Sequence, residues 1–156
     1  MTLREIRKNK GITQKEAALF LEVPLRTYTN YENDPAKQTS IKYKYMIEKL
    51  YTYGYVDEEN GVLTIDEIRD GCLHVFSHYP VEYCYVFGSY AKGTAVPQSD
   101  VDLLVCTTVS GLQFFGMVEE LRETLKKKVD VLNQQQLMDN FQLTNEILKD
   151  GIRIYG

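Results

Sequence analysis

The sequence predicts an α+β chain in two parts: a small all-α unit of helix-turn-helix type, then a mixed sheet flanked by helices. Three observations predict it. Residues 3–51 carry helical patterns with their own start signals, among them Thr13-Gln14-Lys15-Glu16, a capping box. From residue 81 onward, short apolar runs at Val81–Phe87, Leu103–Val105 and Val129–Leu132 alternate with helical segments. Between the halves lies Gly54–Gly61, polar, acidic and turn-rich. These signals bound one unit at residues 1–54 and a second at 62–156.

Taken in order, Leu3-Arg4-Glu5-Ile6-Arg7 opens a short amphipathic helix that ends near Gly11. Thr13 starts the next helix, whose Ala17, Ala18 and Leu21 form a packing face. Leu21-Glu22-Val23 is a tight turn; a positive φ there costs less for Gly than for Glu22. Pro24 suits the first position of a helix over about Leu25–Glu32. Helix, short turn, helix is the helix-turn-helix outline. Arg26, Thr27, Thr29 and Asn30 place polar, base-capable side chains toward the start of its second helix. The alternative is a solvated polar face with no DNA role. Asp34-Pro35 breaks that helix. Ser40 caps a helix over Ile41–Tyr51, with Ile41, Tyr45, Ile47 and Leu50 toward the core. Tyr43, Tyr45, Tyr51, Tyr53 and Tyr55 crowd this region. They read as core packing or a homodimer surface, with base stacking as the alternative.

In the second half, Thr64-Ile65-Asp66-Glu67 is another capping box, and its helix runs to about Ser77. Ile65, Ile68, Cys72, Val75 and Phe76 face inward. His74 and His78 are four apart, but with no third ligand nearby they read as surface or packing residues. The strand ending at Phe87 leads into Gly88–Gly93, a small-residue turn that brings backbone N–H groups close to a phosphate. Asp100-Val101-Asp102 then enters the next strand. Ser110–Gln113 caps a helix to about Lys127, with Phe114, Val118, Leu121 and Leu125 on one face. Lys126-Lys127-Lys128 reads as cations placed at a helix C-terminus, or as a contact for a triphosphate or RNA. A last helix covers roughly Met138–Lys149, and Ile152–Tyr155 is an edge strand.

The aspartates carry the chemistry. Residues two apart on a strand share a face, so Asp100 and Asp102 set two carboxylates side by side. Such a pair resists ionising unless a cation lies between. Paired oxygen ligands suit Mg²⁺, which completes its shell with water and substrate phosphates. Asp130 stands alone among apolar neighbours, and a shared metal would give it a partner.

Gly88-Ser89, ten residues, Asp100-x-Asp102 and a later Asp130 in a Val-Asp-Val strand resemble the DNA polymerase β-type nucleotidyltransferase superfamily, closest to its minimal nucleotidyltransferase branch. The resemblance covers about the last two-thirds of the chain. Lys92 stands where many members carry Arg, a point charge in place of a planar fork. The resemblance implies catalytic and metal-binding roles for Asp100, Asp102 and Asp130. It implies nucleotide contacts from Gly88, Ser89, Lys92 and Ser99, with Mg²⁺ as cofactor and ATP as substrate. Similar minimal nucleotidyltransferases act as antitoxins that transfer AMP to HEPN-domain toxins, which implies a HEPN-type partner. Residues 3–50, with ITQKEAALFLEVPLRTYTNYEN at their heart, resemble the Cro/XRE helix-turn-helix. That implies operator DNA at Arg26, Thr27, Thr29 and Asn30, and autoregulation. Two other readings stay open: an aminoglycoside-type nucleotidyltransferase, and a DNA-binding regulator with a silent catalytic domain.

Bulk properties narrow the classes. Residues 1–55 hold ten Lys/Arg against six Asp/Glu; residues 56–156 hold eight against sixteen. The basic front suits nucleic acid and the acidic rear a different task. No apolar run spans a bilayer and the charged N-terminus lacks a signal core, so a cytoplasmic location is expected. Cys72, Cys84 and Cys106 lie among apolar residues without metal-site spacing, and read as free thiols.

Overall fold

The computed structural model describes residues 1–156, which divide into two compact units, Met1–Tyr55 and Val56–Gly156. The first is all helix: α1 (Leu3–Asn9), α2 (Gln14–Phe20), α3 (Leu25–Asn33), a 3-10 turn at Pro35–Lys37, and α4 (Ile41–Tyr51). Threonines start the first two. Thr2 with Glu5, and Thr13 with Glu16, form reciprocal capping boxes that satisfy the orphan N–H groups of each first turn. Between α2 and α3 the turn places Glu22 at φ +57°, in the left-handed region.

Leu3, Ile6, Ala17, Ala18, Leu21, Tyr28, Tyr43, Met46 and Leu50 fill this unit's core. The inward face of α4 differs from the expected one. Ile41 is 87% exposed and Tyr45 is 55% exposed, while Tyr43, Met46 and Leu50 are buried. Tertiary docking sets that face: the Tyr43 hydroxyl accepts from the Leu3 backbone N–H at 3.1 Å, which draws Tyr43 inward. Glu32 is buried as well. Arg4 Nε donates to it at 3.2 Å and Arg7 Nη2 at 2.9 Å.

The second unit contains α5 (Ile65–Phe76), β1 (Val81–Phe87), α6 (Gly88–Lys92), β2 (Val101–Thr107), α7 (Leu112–Leu125), β3 (Val129–Asn133), a 3-10 turn at Gln134–Leu137, α8 (Phe141–Asp150) and β4 (Ile152–Tyr155). The strands form one mixed sheet in the order β3-β2-β1-β4. β1 runs antiparallel to β2 and β4; β2 and β3 are parallel, joined by the crossover through α7.

Strand alternation divides the sheet's faces. Val101, Leu103 and Val105 join Ile68, Cys72, Phe76, Met117, Leu121 and Leu125 under α5 and α7. On the other face Phe87, Leu104 and Ile147 form a smaller cluster beneath α8. Three local expectations change. Residues 88–92 are a helical turn rather than an open one. Gly111, not Ser110, precedes α7, and no side chain caps it. The final helix begins at Phe141, after the 3-10 turn, with Asn140 as its cap.

Candidate active site

Strand register gathers the acids. Phe87, the last residue of β1, lies opposite Asp102 of β2, and Asp102 lies opposite Asp130 of β3. Neighbours in register on adjacent strands share a face, so Asp102 and Asp130 project to the side away from α5 and α7. Asp100 stands two residues earlier, where the chain enters β2.

The chain leaves β1 through Gly88, at φ +70°. A methyl group there would run into Oδ2 of Asp102. Glycine is thus demanded twice, by the left-handed backbone and by the carboxylate against it. Gly88 also begins α6, whose first turn carries no side-chain cap. Its leading N–H groups, those of Gly88 and Ser89, are orphan donors beside the acids. Gly93, at φ +74°, closes this short helix.

Charge accumulates at Asp102. Burial, then the charges of Asp130, Asp100 and Glu146, push its carboxyl up to about 6. Glu146 of α8 is a fourth acid in this field, and sequence reasoning missed it. In sequence it is one acid on an amphipathic helix; only the folding of α8 over the sheet brings it here. Lys92 of α6 bonds to Glu146 Oε1 at 2.9 Å, so this expected phosphate ligand is already engaged.

Asp130 is exposed rather than buried, and its cost in an apolar strand is met by water. No group of three or more His, Cys, Asp and Glu side chains, these aspartates included, closes into a ready metal shell. The donor chemistry nevertheless fits a hard cation: all oxygen donors, with a half-buried acid whose ionisation is opposed by the charges of its neighbours. Ser99 sits in the loop before β2, where its hydroxyl accepts from the Val96 N–H at 2.9 Å. Lys127 is buried, against both expectations for the lysine run.

In the first unit, Arg26 and Asn30 of α3 are exposed, Thr27 and Thr29 half-buried, and Tyr28 points into the core. The four polar residues therefore share the outward side of α3. Lys37 and Lys42 lie over the Tyr31 ring at 4.8 and 5.4 Å, adding cations near the end of the same helix.

The model of the Polymerase beta nucleotidyltransferase family matches residues 71–156. The chain belongs to that family. This nucleotidyltransferase also carries a helix-turn-helix domain, whose family model matches residues 3–48. Two putative protein adenylyltransferases of Methanocaldococcus jannaschii are similar to it. One is 32% identical over 92 residues, 58% of this chain and 91% of the relative; the other is 34% identical over 62 residues, 38% and 72%. The solved structure of a putative minimal nucleotidyltransferase superposes on 60% of this chain and 98% of its own length, with a TM-score of 0.50 and 24% identity, a likeness of fold. The match at residues 71–156 contains all three aspartates and the Gly88 turn. No helix is long and apolar enough to cross a membrane.

Proposed function

We propose that this nucleotidyltransferase moves AMP from ATP to a hydroxyl of a partner protein. The observation that carries the reading is the wedge of Gly88 against Asp102, with Asp130 in register beside it. Uncapped N–H donors and carboxylates that feel one another's charge meet there, one set suited to phosphate and the other to the cations that accompany it. The named activity of the two archaeal relatives supports a protein as acceptor. By family resemblance that protein is a HEPN-type toxin, and the chain its antitoxin.

In this mechanism, Gly88 and Ser89 hold the β/γ-phosphates through backbone N–H groups and the Ser89 hydroxyl. Lys92 exchanges Glu146 for phosphate oxygens. Asp100, Asp102 and Asp130 hold Mg²⁺, which when bound supplies charge neutralisation for the triphosphate. Asp130, the most exposed of the three acids, takes the proton of the acceptor hydroxyl. The acceptor oxygen bonds to the α-phosphorus as the bond to the β-phosphate bridging oxygen breaks, and pyrophosphate leaves. The outward face of α3, with Arg26, Thr27, Thr29 and Asn30, docks in a major groove of operator DNA.

The test is incubation of the full chain with α-labelled ATP, Mg²⁺ and the protein product of the adjacent gene. Label on that protein, lost with Asp102→Asn, is the expected result. Label on neither protein, with intact Mg²⁺–ATP binding, would overturn the choice of acceptor.

A further inference from the structure

Lys127 is only 1% exposed. Its ammonium donates to the carbonyls of Pro97 at 2.6 Å, Gly61 at 2.7 Å and Asn60 at 3.1 Å. A lysine has three N–H donors and no acceptor, so this arrangement uses its full capacity. Burial lowers its pKa, and Asp57 opposes that shift. The Asn60 carbonyl also accepts from the Asp57 N–H at 3.0 Å, but those of Gly61 and Pro97 take no backbone donor and would cost free energy if left unpaired.

The location gives the clasp its meaning. Pro97 lies three residues before Asp100, and Lys127 lies three residues before Asp130. The next residue continues the seam: the Val101 N–H donates to the Lys128 carbonyl at 2.9 Å. Parallel pairing then sets Val101 beside Val129 and Asp102 beside Asp130. Lys127 is thus the first fastening between the loop that delivers Asp100 and the strand that carries Asp130.

We infer that Lys127 is a positioning residue: its ammonium ties the Pro97–Asp100 approach to the root of β3 and so fixes the spacing of Asp100 and Asp102 against Asp130. The inference rests on the metal-binding reading of the three aspartates. An apolar side chain of equal length would fill the space but leave the Gly61 and Pro97 carbonyls unpaired and the loop free to drift. Loss of a group bonded directly to a metal ligand typically weakens metal binding about 10- to 100-fold; Lys127 acts one step further out, through loop carbonyls, so the lower end is expected.

The test compares Lys127→Met and Lys127→Gln with Leu121→Ala in the full chain. Leu121 is fully buried in the core beneath α5 and α7 and makes none of the three clasp bonds, so its truncation lowers stability through packing while leaving the clasp in place. Two quantities are read well below each variant's melting temperature: Mn²⁺ affinity by electron paramagnetic resonance, and hydrogen exchange of the Val101 amide. Both Lys127 variants are expected to lose about tenfold in Mn²⁺ affinity and to exchange Val101 faster than Leu121→Ala, which keeps near-native affinity. Mn²⁺ affinity and Val101 exchange indistinguishable from Leu121→Ala would overturn the role. Should the unaltered chain take up no Mn²⁺, the metal reading fails by itself. Val101 exchange then decides the clasp: faster exchange upholds it, unchanged exchange removes it. If Lys127→Met does not fold, Lys127→Gln, which retains two donors, supplies the same comparison.

Discussion

Gly88 and Asp102 are in contact across the β1–β2 seam, the glycine's missing side chain leaving the room that the carboxylate fills. One residue therefore does three things. It turns the chain out of β1 at φ +70°, begins α6, and admits the acid. Gly88→Ala would add a left-handed strain of about 1–2 kcal/mol and displace Asp102. The expected result is loss of Mg²⁺–ATP binding by calorimetry, with the second unit still folded and the helical unit unchanged. Retention of native affinity would show that Asp102 has no fixed place against the glycine.

Asp102 is held in a form that opposes folding. Its folded carboxyl titrates near 6, raised first by burial and then by Asp130, Asp100 and Glu146. A raised acid favours the folded state while protonated and loses that advantage as pH climbs through the folded value. Without divalent cation, stability should therefore fall between about pH 4 and 7. The rise from the ordinary carboxyl value to about 6 corresponds to about 3 kcal/mol, which partial exposure reduces to roughly 1–2 kcal/mol. Asp102→Asn should raise the unfolding midpoint at pH 7, flatten this pH dependence and abolish transfer. Denaturant titrations of both proteins with a chelator at pH 5 and 7 check it. An unaltered pH slope would mean that Asp102 is not the group responsible.

Glu32 shows the opposite sign. Burial alone would raise its carboxyl, but hydrogen bonds led by that from Arg7, with Arg4 also donating, hold it down to about 2. A depressed acid stabilises the fold above its unfolded value, about pH 4, and loses that contribution as pH falls toward 2. Removing Glu32 strands Arg7, which is mostly buried, while Arg4 is half-exposed and can turn to water, so the cost is about 1–3 kcal/mol. Glu32→Ala should melt the helical unit first, seen as early loss of far-ultraviolet circular dichroism, and its residual stability should vary little between pH 2 and 4. Wild-type stability in this variant would remove Glu32 from the account.

Local signals wrote much of this structure into the sequence. The capping boxes at Thr13 and Thr64 and the cap at Ser40 start their helices where the hydroxyls stand. The Gly-Ser and Asp-x-Asp spacing is local too, and it marks the strand–helix–strand that holds Gly88 and Asp102. What sequence could not supply came from tertiary placement. Tyr43 rather than Tyr45 turns inward because α1 docks there. Glu146 enters the acidic field because α8 folds over the sheet, 44 residues beyond Asp102. Lys127 sits in a run of three lysines that looks uniformly solvated, yet loops far away in sequence bury it.

That lysine run separates into opposite effects. Lys126 ends α7 at φ +57°, in the left-handed region, and Glu22 holds the same value in the helix-turn-helix turn. Both are exposed, and their side chains gain little from their surroundings; the Glu22 contact to Lys49 is 3.9 Å long. Glycine adopts this backbone without the clash between Cβ and the carbonyl oxygen, a gain partly offset by its freer unfolded chain. Lys126→Gly and Glu22→Gly should each stabilise by about 0.5–1 kcal/mol. Lys127→Met, one residue along, should destabilise by about 1–3 kcal/mol through the Gly61 and Pro97 carbonyls it leaves unpaired. Thermal melts of the three variants decide between this account and a uniform electrostatic one. If the lysines acted only as cations at a helix C-terminus, Lys126→Gly and Lys127→Met would shift the midpoint in the same direction and by similar amounts.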